Sequence, residues 1–209
     1  MSKKPGKAKK AAKTLARADR EATHDAARHR DAAPVRFAGL LGEIADQPQL
    51  IAVSGATIAA GLVARRPDLV RGGARMLAAH LLATAVKTAI KHRFDRARPS
   101  KALDDGQTHF DRGTSHDHQL NSFPSGHTAG AVAVARAAAR EIDGAALPAA
   151  LGAGAVAAIQ PAAGNHYLSD VIVGGAIGWL SEAVVDALLN QLPRPEKTAI
   201  SDIVVRNPG

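Results

Sequence analysis

Apolar positions gather in five segments, each bounded by charge, glycine or proline. They run from Leu50 to Ala64, Met76 to Ile90, Thr128 to Ala139, Ala145 to Ile159 and Val171 to Leu189. The first stops at Arg65-Arg66-Pro67 and the second at Lys91, after which a long polar stretch extends to Phe123. None alternates with period two over a useful length, and Ala, Leu and Ile dominate all of them. The pattern predicts five helices. Two stretches, Gln47–Ala64 and Gly144–Asn165, carry no charge for 18 and 22 residues, close to the length that crosses a bilayer. Against a simple span, the second stretch contains Pro148 and Pro161, the last segment carries Glu182 and Asp186, and His80 interrupts the Met76–Ile90 segment. Hydropathy alone leaves a membrane bundle and an Ala-rich soluble bundle both open.

Composition favours helices over sheets. Of 209 residues 46 are alanine, against one Trp, one Tyr and four Phe, so aromatic stacking platforms for RNA are poorly supplied. The absence of cysteine excludes disulfides, Cys-ligated zinc, iron–sulfur clusters and thiol nucleophiles. Charge is uneven. Residues 1–31 hold ten Lys/Arg and four acids, which places +6 of the net +8 in a basic N-terminal tail over residues 1–34. This Lys/Ala-rich start lacks the apolar run of a secretory signal peptide. It reads as a solvated, partly disordered or helical tail, with adhesion to anionic lipid as the functional alternative. Nothing else in the chain offers base-reading chemistry, so no specific nucleic-acid partner is expected.

Three groups at helix boundaries carry the candidate chemistry. Lys91-His-Arg-Phe-Asp-Arg-Ala-Arg98-Pro99 places a lysine at a helix end and an arginine seven residues later. Ser122-Phe-Pro-Ser125-Gly126-His127-Thr128 opens the third helix, where an N-cap hydroxyl and free amides make an anion site. Gln160-Pro-Ala-Ala-Gly-Asn-His166-Tyr-Leu-Ser169-Asp170 precedes the fifth helix. There Ser169 is a plausible N-cap, and Asp170 can accept a hydrogen bond from the His166 imidazole, leaving the other ring nitrogen as nucleophile or base. Elsewhere, His109, His116, His118, Asp111 and Asp117 share one loop that lacks a scaffold to preorganise a metal. His80 and Trp179 read as core or interface residues.

In this order the three groups resemble the type 2 phosphatidic acid phosphatase (PAP2) superfamily, which also includes bacterial acid phosphatases and vanadium haloperoxidases. Lys-x6-Arg-Pro and Pro-Ser-Gly-His match without departure, and the resemblance covers roughly residues 50–189. The third motif departs: Ile159-Gln160 stands where the family has Ser-Arg, so a neutral amide replaces a guanidinium that binds phosphate. Gln160 can still donate hydrogen bonds, and Arg93, Arg96 or Arg112 are candidate substitutes for the lost charge.

The resemblance implies an all-α, PAP2-like bundle of about five core helices over residues 35–192, with a C-terminal tail over 193–209. It implies a phosphatase with no metal or other cofactor, acting on a lipid or isoprenoid phosphate. His166 is the expected nucleophile, oriented by Asp170, and His127 the acid that protonates the leaving oxygen. Lys91, Arg98, the Ser125 hydroxyl, the Gly126 amide and Gln160 are the expected phosphate contacts. The resemblance also points to a multi-pass protein of the bacterial inner membrane with its catalytic face outward. An extra interfacial or re-entrant helix around Val35–Ile44 would reconcile that orientation with the basic tail. Two alternatives accompany this reading: a vanadium-dependent haloperoxidase-like enzyme, and a non-catalytic, lipid-binding membrane relative. Oligomeric state is not legible.

Overall fold

The computed structural model describes residues 6–42, 45–115 and 117–191. Eight α-helices account for most of them: α1 (Lys7–Ala27), α2 (Ala33–Gly42), α3 (Gln47–Val63), α4 (Pro67–Lys91), α5 (Pro99–Asp105), α6 (Gly126–Glu141), α7 (Ala146–Ala162) and α8 (Leu168–Leu189). The five apolar segments correspond to α3, α4, α6, α7 and α8. The fold is the expected all-α bundle. Helix α2 occupies the Val35–Ile44 stretch as far as Gly42, with Glu43 and Ile44 outside the described residues. The C-terminal tail and His116 also lie outside them.

Helix α4 begins nine residues earlier than its apolar pattern suggests. Pro67 suits the first helical position and Asp68 faces the positive end of the dipole. The first turns were hidden by Arg71 and Arg75, whose charges are met across the bundle. Arg75 is only 6% exposed and pairs with Glu141 of α6 and with Glu182 and Asp186 of α8. Glu182, fully buried, also takes Arg136 and Arg140. A network of ion pairs therefore ties α4, α6 and α8 together at the end of the bundle remote from Lys91 and Asp170.

At the near end, small residues bring α6 and α8 into backbone contact. A Cβ at Gly174 would lie 2.4 Å from the Ser125 carbonyl oxygen, and one at Gly178 would lie 2.3 Å from that of Ala129. Neither position tolerates a side chain at this spacing, which resembles the small-residue contacts of helices in bilayers. Around this crossing, Ala79, Ala83, Ala129, Ala133 and Ala137 are buried with Met76, Ile177 and Val185.

The outer face is apolar. Leu62, Leu147, Leu151, Ile172, Leu180 and Leu188, from α3, α7 and α8, are all more than half exposed. Helix α8 is long and apolar enough to cross a membrane, with mean hydropathy 1.6, and only a third of that stretch is buried.

The polar stretch is ordered by a two-residue antiparallel ribbon, β1 (Asp95–Arg96) with β2 (Phe110–Asp111), and by the short α5. Helix α1, the greater part of the basic segment, keeps its lysines exposed and buries Thr23 and Ala27 against the rest of the chain.

Candidate active site

The ends of α4, α6 and α8 that carry the three sequence groups converge on one cavity of about 440 Å³. Lys91, Arg98, Gly126, His127 and His166 all line it. Lys91 closes α4, and its Nζ donates to the Asn121 carbonyl oxygen at 2.6 Å. Arg98 stands before α5, where its Nε donates to the His118 carbonyl oxygen at 3.1 Å and its Nη1 to Asn165 Oδ1 at 3.4 Å. These bonds fix both cations at the rim of the same space.

His166 enters through the turn after α7, where Gly164 takes φ +70° to reverse the chain. Its ring is 1% exposed, and Nδ1 lies 2.6 Å from the Ser122 carbonyl oxygen. A carbonyl only accepts, so Nδ1 carries the hydrogen and Nε2 keeps its lone pair. Burial, and then the positive charges of Arg98 and Lys91, push the His166 pKa well below the ordinary imidazole value. The ring is neutral at neutral pH. His127 faces it with ring centroids 6.2 Å apart. Asp46, from the connection into α3, places Oδ1 3.6 Å from His127 Nε2.

Four expectations need correction. Asp170 is not the direct partner of His166, because its Oδ2 is 3.9 Å from Nδ1. That oxygen instead accepts from Ser122 Oγ at 2.6 Å and from the Tyr167 amide at 2.9 Å. Asp170 thus holds the Ser122 segment whose carbonyl orients the ring. Second, Ser169 is not the N-cap of α8; Tyr167 is, and Ser169 lies within the first turn. Third, the fully buried Ser125 hydroxyl does not line the cavity. It caps α6 by accepting from the Thr128 amide and contacts Thr128 Oγ1 at 3.0 Å. Fourth, Gln160 is buried but does not line the cavity. Nor do the proposed substitutes: Arg93 and Arg112 are exposed, and Arg96 is engaged elsewhere.

Arg96 is the centre of a support that the sequence motifs do not reveal. Its Nη1 donates to Asp170 Oδ1 and its Nη2 to Asp19 Oδ2 at 2.8 Å, while its Cζ lies 3.9 Å from the centre of the Tyr167 ring. Asp19 also accepts from the Ser169 amide at 2.9 Å, and Thr23 Oγ1 accepts from the Leu168 amide at 3.2 Å. Helix α1 therefore satisfies two otherwise orphaned N–H groups in the first turn of α8. Asp19 and Thr23 gave no signal, since they lie 145 or more residues from these partners.

Lys87 and Asp46 were also missed, and both line the cavity. Lys87 had a signal: it stands one helical turn before Lys91, on the same face. His80 is buried at the cavity wall. Trp179 is half-exposed under the guanidinium of Arg136. His109 and Asp111 approach to 3.5 Å, yet among the described residues no three His, Asp or Glu side chains form a metal-binding group.

Comparison with known proteins places these observations in a family. A family model described as the PAP2 superfamily matches residues 72–194. The crystal structure of Aquifex aeolicus LpxE is similar, with 22% identity and TM-score 0.60 over 79% of this chain and 92% of that one. So is that of the first transmembrane PAP2 type phosphatidylglycerolphosphate phosphatase from Bacillus subtilis, with 18% identity and TM-score 0.57 over 87% and 89%. A comparison with curated proteins gives no match. Helix α1 lies wholly outside the stretch that the family model matches.

Proposed function

Because the chain belongs to the PAP2 superfamily, we propose that it is a phosphatase that hydrolyses a lipid or isoprenoid phosphate through a phosphohistidine. The observation that carries this reading is the His166 ring: neutral, held by the Ser122 carbonyl, and set among fixed cations opposite a second histidine.

In this mechanism Nε2 of His166 attacks phosphorus in line, and the P–O bond to the lipid breaks. His127 gives its proton to the leaving oxygen. Asp46 supplies a negative charge beside the His127 ring while that ring carries the proton. Lys91, Arg98 and the Gly126 amide stabilise the equatorial oxygens of a loose transition state. Water then attacks the phosphohistidine, His127 takes its proton, and the N–P bond breaks to release phosphate. The cluster of cations performs the electrostatic work that bound metals perform in two-metal phosphatases, and it disfavours a divalent ion in the same space. Turnover is therefore expected without added metal.

The bundle is read as membrane-embedded. Exposed leucines on three helices, the poorly buried apolar α8 and the transmembrane character of the Bacillus subtilis relative support this. Placing Arg65, Arg66, Arg71, Arg136 and Arg140 on the cytoplasmic side turns the cavity outward. Purified protein in detergent should release phosphate from short-chain phosphatidate or an isoprenyl diphosphate in the presence of EDTA. Absence of release from both, or full activity in His166→Ala, contradicts the reading.

A further inference from the structure

Lys87 projects into the cavity from α4, one turn before Lys91. Its side chain packs over Gly126, the residue whose amide opens α6 toward the cavity. A Cβ at position 126 would lie 2.9 Å from Lys87 Nζ and 3.2 Å from its Cδ. The glycine thus leaves the space that the lysine occupies, and it brings an ammonium against the anion-binding first turn of α6. Gln160, at the place where the third motif departs, is neutral and does not line the cavity, so it adds no positive charge there. Arg96 is committed to Asp170 and Asp19, and Arg93 and Arg112 lie outside.

We propose that Lys87 is a third cationic ligand of the transferred phosphoryl group. With Lys91 and Arg98 it surrounds a doubly charged phosphate, and the Gly126 amide completes the cradle from α6. The assignment rests on the phosphatase reading above and extends it to a residue outside the three motifs.

The test uses full-length protein in detergent, with inorganic phosphate and orthovanadate as probes. Lys87→Met should weaken inhibition by both anions and lower kcat/KM by about 10- to 100-fold, the loss expected for a charge-assisted hydrogen bond. Lys87→Arg should recover most of the anion affinity. A purely structural lysine would not show that charge-dependent rescue. In the unmodified protein, vanadate should protect Lys87 from reductive methylation, read peptide by peptide by mass spectrometry, and this holds whether or not the Met variant folds. Unchanged anion inhibition in a folded Lys87→Met protein, or absence of protection while vanadate binds, overturns the assignment and leaves the phosphatase reading standing. If the wild type releases no phosphate from any ester, the phosphatase reading fails. Isothermal titration with vanadate then still decides Lys87: it stands if Lys87→Met weakens binding and falls if binding is unchanged or absent in the wild type.

Discussion

His166 Nδ1 lies 2.6 Å from the carbonyl oxygen of Ser122. Asp170 stands one step further back, bonded to the Ser122 hydroxyl rather than to the ring. The carboxylate therefore positions the nucleophile through a backbone carbonyl, and the chain of contacts continues outward through Arg96 to Asp19 on α1.

The first prediction concerns pH. Burial and neighbouring cations lower the His166 pKa well below the usual 6.5, so the folded protein favours the neutral ring. This contribution to stability is fully present above the unfolded-state pKa and is lost as pH falls from there toward the folded pKa. In protein labelled with ¹⁵N-histidine, the His166 resonance, assigned with His166→Gln, should remain that of a neutral, Nδ1-protonated ring from pH 8 to 6. A midpoint at or above 6.5 contradicts the electrostatic argument.

Removing the charge of Asp19 should be felt at the active site. Asp19→Asn weakens the hold on Arg96 and Ser169, and kcat is expected to fall about three- to ten-fold with KM changed less than two-fold. Asp19→Ala also removes acceptors at the start of α8 and should cost about 1 kcal/mol of stability, by analogy with loss of an N-cap. Kinetics on a soluble phosphate ester and thermal melting check both. Unchanged kcat in both variants would show that α1 only packs.

The bundle itself was legible because long Ala/Leu/Ile runs between charged stops leave little choice but helices. The start of α4 was not, since Arg71 and Arg75 look like solvent-facing residues until Glu141, Glu182 and Asp186 are brought opposite them. At the site, contiguous motifs delivered Lys91, Arg98, Gly126, His127 and His166 to one cavity. Local spacing identified Ser125 as the N-cap of α6, and only the resemblance made it a phosphate contact; it misassigned Ser169 and Asp170, whose partners are set by α1 and by the Ser122 segment. Lys87 could have been found from its i, i+4 relation to Lys91; Asp19 could not.

The crossing of α6 and α8 gives a paired prediction. Gly178→Ala forces a methyl group against the Ala129 carbonyl and should destabilise the protein by about 1–3 kcal/mol, with loss of activity as the Ser125 amide, which donates to the Asp170 carbonyl oxygen at 3.1 Å, is drawn away from it. Gly175→Ala meets only the Thr128 methyl at 3.9 Å and should be neutral or mildly stabilising. Melting temperatures of the two variants in the same detergent decide the matter; equal values would mean that the close approach is not needed.

Glu182 is fully buried among Arg75, Arg136 and Arg140. Glu182→Ala leaves these cations uncompensated, and about 3–5 kcal/mol of stability should be lost. Because the network sits roughly 18 Å along α8 from Asp170, at about 1.5 Å per residue, KM of the surviving folded fraction should be unchanged. A stable variant with raised KM would reverse that assignment.

The claim that His166 carries the phosphoryl group is tested most directly by trapping the intermediate. His127→Ala, which lacks the proton acceptor for hydrolysis, is mixed with a ³²P-labelled ester bearing a good leaving group, denatured, and mapped by mass spectrometry. Label that is stable in alkali, labile in acid and located on the peptide containing His166, and absent from His166→Ala, is the predicted result. Label that survives acid, or that maps to another residue, contradicts it.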